Sequence, residues 1–118
     1  MAKNLFHLFH NDGASLSLGS TAALRSSQRA SETGVEVEVF CFGAAQKALS
    51  GSDEEGPVKT FNENIDELVS SGVRVAACIN AAKGTETVDD LTGRGIILES
   101  AVDVFARCAV DGTNVITF

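Results

Sequence analysis

The sequence predicts an α/β protein: a three-layer α/β/α sandwich around a five-stranded, mainly parallel sheet. Three observations predict it. The hydrophobic pattern switches repeatedly between strand-like alternation and a helical repeat, as strands joined by crossover helices do. Glycines or Ser/Thr-x-x-acid patterns punctuate most of the switches. The 118 residues suit one domain, 1–118, that builds a core without disulfides or metal.

The first strand runs from about Asn4 to His10 and is apolar on both faces, which places it centrally in the sheet. A helix follows from about Ser15 to Glu32. Its stripe of Leu16, Gly19, Ala23, Ser27 and Ala30 is small enough to lie close on the sheet, and Thr33-Gly34 stops it. The second strand is Val35 to Phe42. Val35, Val37 and Val39 alternate with Glu36 and Glu38, so its first half is expected to have one wet face. A short helix is expected within Gly43 to Ser50. The stretch Ser50 to Pro57 then reads as a loop, holding the only proline and the acidic trio Asp53, Glu54 and Glu55. Contiguous carboxylates rarely converge on a cation, so the trio reads as a solvated loop tip.

The clearest helix follows. Thr60-x-x-Glu63 forms a capping box, Phe61, Ile65, Leu68 and Val69 share one face, and Gly72 ends it. The third strand, Val73 to Cys78, leads into a polar, glycine-containing loop from Asn80 to Gly84. Thr87-x-x-Asp90 opens a short helix closed by Gly93, and Gly95 to Leu98 is a fourth strand. Ser100-x-x-Asp103 opens the last helix, whose face is Ala101, Phe105, Cys108 and Ala109. Asn114 to Phe118 is the fifth strand. No internal repeat is visible.

Composition excludes several function classes. The net charge is −7, and the nine Lys and Arg residues are spread singly, so no basic cluster exists to bind nucleic acid. The apolar runs are too short to span a bilayer, and the N-terminus lacks the cleavage site of a signal peptide. Three cysteines with no C-x-x-C pair argue against a disulfide framework or a zinc knuckle and point to a reducing cytoplasm. No P-loop is present. The small-residue stretch Gly13 to Thr21 reads as a helix face, and Trp and Tyr, the usual stacking partners of a flavin ring, are absent. A receiver-type phosphoacceptor lacks its lysine on the last strand. No metal or organic cofactor is expected.

The candidate chemistry centres on Cys78. It ends an apolar strand beside a polar loop, and open α/β sheets gather their active residues at the carboxyl ends of parallel strands. Two readings stay open there: a thiolate favoured by nearby partial positive charge, or a small buried apolar side chain. Cys41, on the valine face of the second strand, and Cys108, on the last helix stripe, read as core filler. His7, between Phe6 and Leu8, reads as a hydrogen-bonded core or interface histidine. His10, at the end of the first strand, and Lys83, five residues past Cys78, are candidates for stabilising a thiolate. Asn80, Asn11 and Gly43 are the candidate substrate-binding positions.

The stretch Gly72-Val73-Arg74-Val75-Ala76-Ala77-Cys78-Ile79-Asn80 resembles the DsrE/DsrF-like family, in which a strand of this form precedes a loop. Val37-Glu38-Val39 running to Phe42-Gly43, Asp90-Leu91, Ala101-Val102 and the closing Asp111 to Ile116 are similar to the family as well. The resemblance spans nearly the whole chain. It implies a small three-layer α/β fold assembled into trimers or hexamers. For some members it also implies a persulfide at the position of Cys78, received from a sulfur donor protein and passed to an acceptor. The alternative is an oligomeric small-molecule-binding or scaffold module in which Cys78 is inert. Phe40 and Phe42 follow Glu36 and Glu38 on one strand face, and an acidic-to-aromatic face of this kind suits burial by a helix or by a second copy.

Overall fold

A computed structural model describes residues 2–118. The strands are β1 (Lys3–Leu8), β2 (Glu36–Cys41), β3 (Arg74–Cys78), β4 (Ile97–Glu99) and β5 (Asn114–Thr117). The helices are α1 (Gly13–Gln28), α2 (Ala30–Thr33), α3 (Gly43–Ala48), α4 (Pro57–Ser70), α5 (Ile79–Ala82), α6 (Thr87–Gly93) and α7 (Ala101–Asp111). All four strand pairings are parallel and the spatial order is β4-β3-β2-β1-β5, with β1 in the interior as its apolar faces require.

The order dictates where the helices go. Steps from β1 to β2, β3 and β4 all move one way across the sheet, so right-handed crossovers stack α1, α4, α5 and α6 on one face, the front. The return from β4 to β5 runs the opposite way and carries α7 to the back. Two hydrophobic clusters reflect this division. The front cluster joins Phe6, Leu8, Val39, Cys41, Val75 and Ala77 to Leu16 and Ala23 of α1 and to Phe61, Ile65 and Leu68 of α4. The back cluster is smaller: Leu5, Phe40, Ala76 and Cys78 under Val104 and Cys108 of α7.

Several expectations need correction. The first helix breaks at Arg29, where α1 ends and α2 begins, and Gly34 (φ 72°) closes the pair in the left-handed conformation. Thr60 and Glu63 lie inside α4, because Pro57 starts that helix earlier, its fixed φ suiting the first turn. The segment after Cys78 is the helical turn α5 rather than a loop. Ser100 does precede α7, yet its side chain makes no capping bond, and Ala109 is exposed while Val104 takes the buried position.

The largest correction concerns Glu38. It does not lie on a wet face but is 2% exposed. Arg107 of α7 grips its carboxylate with both terminal nitrogens (2.7 and 3.1 Å) and also donates to Glu99 (3.1 Å). Arg74 bridges to Glu99 at 2.9 Å and to Glu38 at 3.4 Å, and Lys3 stands 3.5 Å from Glu38. Burial alone would push the Glu38 carboxyl up, but the Arg107 hydrogen bonds and the surrounding positive charges hold it below the ordinary glutamate value. Five charged side chains thus fasten α7 to the back of the sheet.

Candidate functional site

In an open parallel sheet, the site forms where neighbouring strands send their chains to opposite faces, opening a crevice at the strand ends. Here β3 continues into α5 on the front while its neighbour β4 continues into α7 on the back. The switch from front to back therefore falls beside Cys78, whose register partner on β4 is Glu99.

Strand parity fixes where the thiol points. Ala76 lies on the back, so Cys78, two residues on, does too, and it packs in the cluster with Phe40, Val104 and Cys108. The residue is 3% exposed. Its main chain is held from the other side by Gln46 of α3, itself 7% exposed. The Cys78 N–H donates to Gln46 Oε1 (3.0 Å) and Gln46 Nε2 donates to the Cys78 carbonyl (2.9 Å). The side-chain amide thus does for the last residue of β3 what a neighbouring strand would do. Sequence reasoning missed Gln46, which stands beside Lys47 among the small residues of Gly43–Ala48 and carries no mark that sets it apart.

The other candidates distribute around this point. Asn80 is exposed on α5, and Lys83 is its exposed C-cap. His10 and Asn11 are exposed past the end of β1, which β2 separates from β3, so the strand axes are about 10 Å apart. His10 stacks edge-on against Phe9. Gly43 lines a cleft of about 140 Å³ between α3 and the α5–α6 segment, with Gln46, Lys47, Ser50, Thr85 and Thr87. Gly43 also has a positive φ (59°), and a Cβ there would meet the Phe9 ring at 2.5 Å. Cys41 is fully buried on the front, and burial pushes its thiol up to about 12. Burial, aided by Glu38, also raises the Cys108 thiol.

His7 belongs to an aromatic group at the same end of the sheet. Its ring lies 5.1 Å from Phe105 and 5.5 to 6.2 Å from Phe9, Phe40 and Phe42. Nδ1 pairs with Thr117 Oγ1 at 3.0 Å, and the buried Nε2 has no hydrogen-bond partner. Burial, and then the charge of His10, lowers its pKa from about 6.5. As the pH falls below 6.5 the unfolded chain takes up a proton that the folded imidazole resists, so stability drops until the folded pKa is passed. Urea midpoints between about pH 8 and pH 5 should therefore fall less steeply in His7→Phe than in the natural chain. Equal slopes would show that His7 is not the group responsible.

A model of the DsrE/DsrF-like family matches residues 3–118. Among solved structures, the fold is similar to the conserved protein of unknown function BT1422 from Bacteroides thetaiotaomicron. The TM-score is 0.74 and the identity 18%, over 98% of this chain and 94% of that one. It is also similar to the ychN protein from E. coli, with a TM-score of 0.62 and 18% identity over 99% of this chain and 97% of that one. No curated protein matches the sequence. Among the described residues, no helix is long and apolar enough to cross a membrane.

Proposed function

The chain belongs to the DsrE/DsrF-like family, and from that premise we propose that it handles sulfane sulfur in the cytoplasm, carrying it as a persulfide on Cys78. One observation carries the reading: Cys78 stands at the strand end where β3 and β4 send their chains to opposite faces, with its main chain gripped by a buried Gln46. The donor and the acceptor are proteins or small thiols bearing a terminal sulfur. The Cys78 thiolate attacks the outer sulfur of a donor persulfide; the donor S–S bond breaks and the donor leaves as a thiolate. An acceptor thiolate then attacks the outer sulfur on Cys78 and releases the Cys78 thiolate. No net oxidation occurs. Asn80 and Lys83, on the turn that begins at Cys78, are the nearest in sequence of the residues proposed to bind or balance the charge.

Intact mass after incubation with a sulfane donor tests this. The natural chain should gain about 32 Da per sulfur, and Cys78→Ser should abolish the gain while Cys41→Ser and Cys108→Ser retain it. Equal adducts in all three variants would remove Cys78 from its role. The 3% exposure of the thiol favours a second reading, an inert cysteine in a binding or scaffold module. On that reading Cys78 would take up no sulfur from the donor in the folded protein.

Self-association is part of the proposal. Phe40 is covered by α7, but Phe9 (36% exposed) and Val115 (40%) lie open on the back, where α7 is the one covering helix among the described residues. Open apolar side chains of this kind suit a contact between copies. A trimer, or a hexamer built from trimers, is expected by light scattering on a size-exclusion column. A mass near the 12.3 kDa monomer would refute it.

A further inference from the structure

The structure does not let Cys78 come out to meet a reagent. Its N–H and carbonyl are both held by a buried side chain, and the residues before it are locked between β2 and β4. Helix α5 begins at the next residue and turns the chain to the front. The thiol faces the back, into a cluster with Phe40, Ala76, Val104 and Cys108. What lies over it there is α7.

That cover is fastened unevenly. The residues α7 buries are Val104 and Cys108, with Ala101 and Phe105 half-buried. The strongest polar attachment is near its far end, where Arg107 holds Glu38 and Glu99. The helix ends at Gly112, whose φ of 72° allows a sharp change of direction. A segment with two fully buried side chains and an ionic clasp opens at lower cost than the whole fold, because most apolar surface stays buried on the other face.

We infer that α7 is the gate of the site: Cys78 is reached when α7 lifts off the sheet as a unit, and the Arg107 ion pairs with Glu38 and Glu99 are the latch. As regulation of sulfur transfer this rests on the persulfide reading above; as a motion of the fold it does not. The three cysteines supply the readout. Cys78 and Cys108 both lie under α7, whereas Cys41 lies in the front cluster, shielded from that motion by the sheet.

The experiment measures labelling of each thiol in the folded protein by methyl methanethiosulfonate, resolved by peptide mass spectrometry and scaled to its rate in unfolded chain. In Arg107→Met, Cys78 and Cys108 should both speed up about tenfold, the change that losing roughly 1.4 kcal/mol of latch would give, with Cys41 unaltered. Raising salt from about 0.05 M to about 1 M in the natural chain should move the same two thiols together, since Arg107 and Glu99 are partly solvated and their attraction is screened. The salt series stands even if the variant folds poorly. Three thiols accelerating equally would mean unfolding of the whole molecule. A response of Cys78 alone would mean a local route at the strand end, and no response of either would mean that α7 is no gate; each overturns the proposal. The two ideas fail separately: linked opening of Cys78 and Cys108 without any sulfur adduct leaves the gate and removes the persulfide, and an adduct whose rate ignores salt and Arg107→Met does the reverse.

Discussion

Replacing Glu38 with alanine is expected to lower the unfolding free energy by about 3 kcal/mol, measured as a shift of the urea midpoint at neutral pH. The carboxylate is 2% exposed and accepts two hydrogen bonds from Arg107 while lying near Arg74 and Lys3. Without it, Arg107 and Arg74 keep Glu99 as their carboxylate partner while Lys3 loses the one it pairs with, and the strongest tie between α7 and the sheet is lost. The same residue gives an acid signature. Its folded pKa lies below the ordinary value, so its contribution is complete above the unfolded glutamate pKa and is lost as the pH falls through the folded one. The natural chain should therefore lose stability more steeply than Glu38→Ala below about pH 4.3. A substitution costing less than about 0.5 kcal/mol would show the network to be solvated in solution.

Phe40→Ala should cost about 3 to 5 kcal/mol, the range for deleting a buried aromatic ring from a core. The side chain is fully buried, with its ring 5.8 Å from both Phe42 and Phe105 and 6.1 Å from His7. It is the largest side chain wholly enclosed between the sheet and α7, so the cavity it leaves has few neighbours able to collapse into it. Phe42→Ala, at a half-buried position in the same aromatic group, should cost about half as much or less. Equal losses would mean that Phe42 is covered in solution, as contact between copies on that face would bring about.

How much of the molecule was legible in advance follows from the reach of each signal. The five strands in order, the helices between them and the front stripe of Phe61, Ile65 and Leu68 were readable because alternation and helical repeat are properties of neighbouring residues. The place of Cys78 at a strand end was readable for the same reason, and so was the assignment of Cys41 and Cys108 to core positions. Element ends were less legible. Pro57 outweighed the Thr60 capping pattern, and a helical turn replaced the loop after Cys78, because short helices at strand ends depend on what packs over them.

The family, the layered α/β class and the strand that carries the thiol follow from the order of the residues. Tertiary structure alone decided which face the thiol looks onto and what surrounds it. Glu38 reads as solvated until Arg107, 69 residues away, is brought over it, and Gln46 reads as one polar residue in a short helix until Cys78, 32 residues on, is set beside it. The first pairing depends on the reversal from β4 to β5 that carries α7 to the back, the second on β2 and β3 lying side by side. A local pattern records how a segment folds and which of its sides is apolar. It does not record which distant segment will cover that side, since that choice is made by packing among all the elements at once.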